Sequence, residues 1–521
     1  MKHITKDTIK VIAFIIVLVV AIIVLMYFGI HLGKNDVVVK DVDFSNYTTE
    51  DVNENKTIVT SGVYRYSGNY TETITINASR ASIKIILDNA DINTTGPAIN
   101  VVDADVVYIE LVNDNTIKAT PTEDLNGAIY SKADLLFMGD GKITIDSSID
   151  GIVGKDDVKI VSGNYIIKAS DDGIVGKDSL VIEDGNYEFE VTGDGLKTSN
   201  EEEKGNMEIS KGVFNITSKG DGITSIANLT IKDGTFNINS GSGERMTSNS
   251  PSMKGIKANG DITIDDGTFK ITSTDDSIHT NSNMNLNGGT IECSSNDDGI
   301  HADNNLIIKD GKITITKSYE GLEGKNITID GGDISINATD DGMNAAGGDG
   351  SSYGRPGSPK RTESTSVITI TGGNIYVNAV GDGIDSNGDI YIKGGVTHVD
   401  GPTNNGNGPM DYGDFGDYKF EVTGGELIAV GAKGMAVSPT SSTVPTVFMN
   451  LDNAYNIEFT FGDISYKPSK AYNSILICSN KLKQNETYDL KISNVRVLSL
   501  TLNKSITTYG SSGFGGGPRR W

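Results

Sequence analysis

Cysteine, proline and tryptophan are scarce: 2 Cys, 11 Pro and 1 Trp in 521 residues. Cys293 and Cys478 lie far apart, without a C-x-x-C or zinc-like spacing, which excludes a disulfide framework as the source of stability. Cys293 sits in I-E-C, in phase with Ile291 on an apolar strand face, and reads as a buried free thiol. Basic residues are also in deficit. With 44 Lys and Arg against 69 Asp and Glu, the formal charge is -25 and the pI near 4.6. That excludes a nucleic-acid binder, which needs a basic footprint to displace counterions from phosphates. Helical heptads are absent after the N-terminal run, and there is no P-loop, nucleophile elbow, H-E-x-x-H or dinucleotide fingerprint. The G-G-x-G-x-D nonapeptide of calcium-binding toxins is missing too.

Apolar residues still make up 37% of the chain, many of them Ile and Val, so the acidity does not imply disorder. One long hydrophobic run exists, Val11 to Ile30, preceded by Lys2, Lys6 and Lys10. About 20 apolar residues suffice to cross a bilayer as helix, and the basic flank predicts the N-terminus inside. The run ends in M-Y-F-G-I before His31 and Lys34 rather than at a small-residue cleavage site, so it reads as an uncleaved anchor. Residues 1–10 then form a cytoplasmic segment, 11–30 a single membrane span in contact with the lipid bilayer, and 31–59 a polar linker. Everything beyond is extracellular, displayed from the cell membrane.

D-G-(Ile/Leu/Met) units recur with glycines at 151, 173, 195, 222, 255, 299, 321, 342 and 383, Ser277 standing in once. Counting Ser277, the steps are 22, 22, 27, 33, 22, 22, 22, 21 and 41 residues. About 22 residues is what three short strands and three turns need to close one coil of a β-solenoid. The longer steps contain turn insertions, notably Ser240 to Met253 and Gly347 to Ser366. Within a coil, strands such as L-T-I-K-D-G-T-F-N-I-N (Leu229 to Asn239) alternate apolar and polar residues about a D-G or G-G turn. A coil leaves half its apolar strip bare unless a neighbour stacks on it, so stability requires the stack. The predicted fold is all-β: a parallel β-helix over 60–415, a C-terminal β unit or cap over 416–510, and a loose Gly-rich tail over 511–521.

In D-G-I the apolar third residue points inward, so the first and fourth share the outer face. The first column reads Asp150, Asp172, Asp194, Asp221, Lys254, Asp276, Asp298, Glu320, Asp341 and Asp382, and Asp171, Asp275, Asp297 and Asp340 add a second carboxylate before it. Stacking places these about 4.8 Å apart. Unit charges at about 5 Å repel by roughly 3 kcal/mol at an effective dielectric near 20, so the ladder calls for cations or hydrogen bonds. Calcium, which takes six to eight oxygens, suits Asp171, Asp172, Asp194, Asp275, Asp276, Asp297, Asp298, Glu320, Asp340, Asp341 and Asp382. The plainer reading is that Asp-Gly makes the turn, with Asp bonding nearby amides and Gly accepting positive φ.

The second column reads Val153, Val175, Lys197, Thr224, Lys257, His279, His301, Glu323, Asn344 and Asp385. Lys197, Lys257, His279 and His301 could grip the carboxylates of an acidic polysaccharide, or simply neutralise the ladder. The histidine pair also offers ligands to a transition metal. In the loop G-P-T-N-N-G-N-G-P-M-D-Y, Tyr412 could stack on a sugar face, or the loop could only close the helix.

The D-D-G-I coils, the I-x-I-x-(D/G)-G-x-(F/I/Y)-x-I strands and G-P-T-N-N-G-N-G-P-M-D-Y resemble the clostridial carbohydrate-binding β-helix family, itself similar to pectate lyases. The resemblance implies a right-handed parallel β-helix with calcium at the D-D-G-I carboxylates and affinity for polysaccharides such as polygalacturonate or cellulose. This sequence departs from the pattern at Met253-Lys254, at Ser277 and in M-D-Y. The expected function is non-catalytic, calcium-containing carbohydrate binding. The alternatives are a pectate-type lyase with Lys257 or Lys197 as base, and a structural stalk or adhesin.

Overall fold

Short Ile/Val-rich runs with one apolar face, each closed by glycine, are strand sequences, and in the computed structural model every regular element among the described residues is a β-strand. The described residues are 39–54, 56–200, 204–241, 251–346, 364–413 and 417–511. The predicted span 11–30, most of the two insertions and nearly all of the Gly-rich tail lie outside them. Val42 onward forms one unit.

Each coil supplies one strand to each of three ladders of parallel strands, giving a β-helix-like stack. In the first ladder Ile152 is followed by Ile174, Leu196, Ile223, Ile256, Ile278, Ile300, Leu322, Met343, Ile384 and Met410. In the second, Val158 is followed by Leu180, Met207, Leu229, Ile262 and Met284. The third stacks Tyr165, Tyr187, Phe214, Phe236 and Phe269. Their rings lie parallel at 5.1, 4.6, 4.7 and 4.7 Å between centroids, the spacing that strand pairing imposes. The tyrosine hydroxyls bond the carbonyls of Ser162 and Asp184, both at 2.9 Å, so no buried O–H is stranded there.

Glycine serves two distinct purposes. Before third-ladder strands it takes positive φ, as at Gly185 (139°) and Gly234 (135°), which other residues rarely adopt. The D-G-I glycines are not in that region. A Cβ on Gly173 would lie 2.5 Å from the Gly195 carbonyl oxygen, and one on Gly321 would lie 2.3 Å from that of Gly342. The same carbonyls accept the N–H groups of Ile174 (3.0 Å) and Leu322 (3.1 Å), so they cannot retreat. The repeat therefore needs glycine for close approach between coils, not for positive φ as the turn reading supposes.

The solenoid begins earlier and ends later than 60–415. Thr49–Val52 already pairs parallel with Gly62–Tyr70, inside the expected linker, because Val52 has a core to enter. Phe420–Val422 and Glu426–Gly431 still continue the second and third ladders. Tyr472–Cys478 then adds antiparallel to Glu426–Gly431 and Thr446–Tyr455, covering the open edge of the stack. A four-stranded antiparallel sheet with its own core, including Phe459, Phe461 and Leu490, completes the cap. Both cysteines are free and buried.

Candidate functional site

Both predicted columns exist in register along the first ladder. Val175, Lys197 and Thr224 pair in succession, as do Lys257, His279, His301, Glu323 and Asn344. The carboxylate column, however, is largely buried: Asp150 is 2% exposed, Asp221 3% and Asp298 7%. The reason is a chain of hydrogen bonds between coils. The Asp172 N–H donates to Asp150 Oδ1 (3.0 Å), that of Asp194 to Asp172 Oδ1 (2.7 Å), that of Asp221 to Asp194 Oδ1 (2.8 Å), and that of Lys254 to Asp221 Oδ1 (2.7 Å). Lys254 offers no oxygen, so Asp276 N–H turns to Asp275 Oδ1 (3.0 Å). The chain resumes with Asp298 N–H to Asp276 Oδ1 (2.9 Å), Glu320 N–H to Asp298 Oδ1 (3.1 Å) and Asp382 N–H to Asp341 Oδ1 (2.6 Å). Outside the Lys254 and Glu320 coils, one carboxylate oxygen of each coil thus satisfies a backbone donor of the next.

Most of the other oxygens face lysine or histidine nitrogens, those of the second column and that of Lys254 in the first. Lys197 Nζ lies 2.9 Å from Asp172 Oδ2 and 3.0 Å from Asp194 Oδ2, and Lys254 Nζ is 2.7 Å from both Asp275 and Asp276. Lys257 stands 3.9 Å from Asp221 Oδ2. His279 Nδ1 meets Asp276 Oδ2 at 2.8 Å, and His301 Nδ1 meets Glu323 Oε2 at 2.9 Å. Burial opposes the charge on Lys197, but Asp194 and Asp172 outweigh it and hold the ammonium above its ordinary range. The three lysines are engaged as counter-ions of the ladder. Replacing Lys197 by Met is expected to cost about 1 to 2 kcal/mol, less than a fully buried pair because its side chain is 33% exposed. Chemical denaturation reads this cost, and an unchanged midpoint would refute the pairing.

Val153 and Val175, also in the second column, are covered: with Tyr130 and Leu125 they form a small apolar cluster outside the main core. Tyr412 packs partly against the core, 6.2 Å from the Phe420 ring, so it is no free platform.

At the C-terminal end the ladder changes character. Burial, then the charges of Asp340 and Asp411, push Asp341 up to about 6, and burial with Asp341 and Asp411 pushes Asp382 up to about 7. The charges that raise these two are those of other carboxylates. A Cβ on Gly381 would lie 2.4 Å from both Asp340 Oδ1 and Asp341 Oδ1; at Gly193 the distances are 2.5 Å to Asp171 Oδ1 and 2.4 Å to Asp172 Oδ1. Two carboxylates therefore converge over a glycine where a side chain would fill the cradle, a donor set of the kind calcium takes. The D-D pair at 275–276 differs, because the Lys254 ammonium already bridges it.

Asp150 is also raised by burial, to about 7, and burial with Glu323 and Asp298 raises Glu320 to about 9. Such groups keep their protons in the folded chain where the unfolded chain has lost them. The folded state then binds more protons from about pH 4 up to each raised value, so stability falls as pH rises through that window. In chelator, the melting temperature is expected to drop between pH 5 and pH 7; a rise would contradict this.

Two features lay beyond the sequence reading. Asp134, Asp156 and Asp157 converge at a second-ladder turn, brought together by register alone. A groove of about 830 Å³ runs over the outer face of the third ladder, lined by Asn164, Ile166, Asn186, Glu188, Val213 and Asn215. Asn186 Nδ2 donates to Asn164 Oδ1 at 2.9 Å, and Ile166 and Val213 are 36% and 42% exposed beside them. The outward alternate positions of N-Y-I, N-Y-E and V-F-N were the available signal.

No curated protein matches the chain. Among solved structures it is similar to one described as "Structure of the polysaccharide lyase-like protein from C. thermocellum, Gadolinium derivative", at 24% identity and a TM-score of 0.33, over 49% of this chain and 89% of that one. The family model described as "Carbohydrate-binding domain-containing protein" matches residues 52–299 and 294–489, most of the solenoid and its cap, and the chain belongs to that family.

Proposed function

We propose that the chain is a calcium-containing polysaccharide-binding solenoid of the right-handed sense usual for parallel crossovers, held at the cell surface by residues 11–30. It binds acidic or plant-cell-wall-type glycans such as polygalacturonate or cellulose and does not cleave them. The observation that carries this reading is the engagement of Lys197 by two carboxylates. A lyase base must be free to take a proton, and this ammonium is held charged by Asp172 and Asp194. Lys257 Nζ stands 3.9 Å from Asp221 Oδ2 and 3.4 Å from Ser252 Oγ.

Because Lys197 already bridges Asp172 and Asp194, calcium is assigned to the cradle at Asp340, Asp341 and Asp382. There it would neutralise the ladder and, through open coordination positions, bridge to uronate carboxylates. The third-ladder groove adds amides and exposed apolar atoms able to meet sugar hydroxyls and ring faces.

The test is to incubate the purified chain with polygalacturonate while following ultraviolet absorbance of unsaturated product and sedimentation of the complex together. Binding without product is expected. Product that disappears in Lys257→Ala or Lys197→Ala would establish the lyase instead, and neither product nor binding would leave a structural stalk.

A further inference from the structure

We propose that His301, Asp298 and Glu323 form a site for one first-row transition-metal dication of the zinc class, with His279 of the preceding coil supplying the fourth ligand. The inference is independent of the glycan-binding reading and concerns a different ion from calcium. Consecutive coils set His279 and His301 side by side in the first ladder, ring centroids 4.7 Å apart. Ligand atoms of Asp298, His301 and Glu323 lie within 4.8 Å of one another, and so do those of Asp276, His279 and His301. His301 Nδ1 is 3.3 Å from Asp298 Oδ2 and 2.9 Å from Glu323 Oε2. Bonds of about 2.0 to 2.1 Å at tetrahedral angles separate ligand atoms by about 3.3 Å, so small side-chain motions admit the ion.

The outer nitrogens define the chemistry. His279 Nε2 lies 2.8 Å from Asn281 Oδ1, and His301 Nε2 lies 3.3 Å from Asp303 Oδ1. Both partners are acceptors, so each Nε2 carries a hydrogen and donates it. That leaves each Nδ1 facing carboxylate oxygens, where a bare lone pair would be repelled and only a proton or a metal ion fits. An outer acceptor that fixes the imidazole tautomer is the usual second layer of a metal site. One coil further on, Asn344 donates to Glu320 Oε2 (2.8 Å) while its own buried Oδ1 has no hydrogen-bond partner. Two imidazoles among carboxylates favour zinc-like ions over calcium, which prefers all-oxygen sets.

The test is calorimetric titration of Zn²⁺ into the full chain in excess calcium, which fills the all-oxygen cradle. One equivalent is expected to bind, about tenfold more weakly in His279→Ala and not measurably in His301→Ala. Absence of binding in the wild type, or wild-type binding by His301→Ala, overturns the proposal. Should that variant fail to fold, the wild type decides by chemical modification. Zinc must protect His279 and His301 from diethylpyrocarbonate while His3, His31 and His398 keep their zinc-free reactivity, and unchanged modification of His301 overturns it.

Discussion

Gly321→Ala is expected to destabilise the chain by about 3 kcal/mol or more, read as a lowered denaturation midpoint with loss of cooperative melting. Its Cβ would sit 2.3 Å from the Gly342 carbonyl oxygen and 2.3 Å from Ile336 Cγ2. The isoleucine could rotate, but the carbonyl is fixed by the Leu322 N–H and by the next coil. Shifting it would open the first ladder between coils, not at one side chain. Gly96→Ala is the control, since its Cβ would meet only Thr73 Oγ1 at an ordinary 3.5 Å. Equal effects of the two substitutions would show that lost backbone freedom, not close approach, is what the glycine supplies.

Cys293→Ile is expected to cost about 2 to 3 kcal/mol, and Ser277→Gly in the same chain to recover most of it. Ser277 is the one D-G-I coil without glycine, and Cys293 stands in the third ladder between Ile271 and Ile315. A Cβ on Gly255 would strike Ile271 Cγ2 at 2.3 Å, and one on Gly299 would strike Ile315 Cδ1 at 2.7 Å. At coil 277 the Cβ is present and the isoleucine is replaced by a smaller thiol. The neighbouring ladder also yields slightly: Ile278 N–H reaches the Gly299 carbonyl at 3.3 Å, against 3.0 Å at Ile256 and 3.1 Å at Ile300. A double-mutant cycle should give a coupling near 2 kcal/mol; additivity would mean that the two substitutions are unrelated.

These cases indicate what could be read from the chain. The 22-residue period sets the register, so the columns from Lys197 to Asn344 follow from counting alone. Burial of the carboxylates does not follow, because it arises from Oδ1 folding onto the amide of the next coil, a contact between residues 22 or more apart. The role of Lys197 is similar: sequence places it beside the ladder, but only the distances to Asp172 and Asp194 show its charge consumed. The cap boundary was missed because Phe420–Val422 and Glu426–Gly431 keep the coil pattern after the D-G-I signal has stopped.

The most direct measurement is the calcium dependence of glycan binding, by sedimentation of the purified chain with polygalacturonate in calcium and in chelator, beside Asp340→Asn/Asp382→Asn. The carboxylate edge predicts binding that needs calcium in the wild type and is weakened in the double variant at equal folded content. Binding that is the same in chelator and in the variant would contradict it.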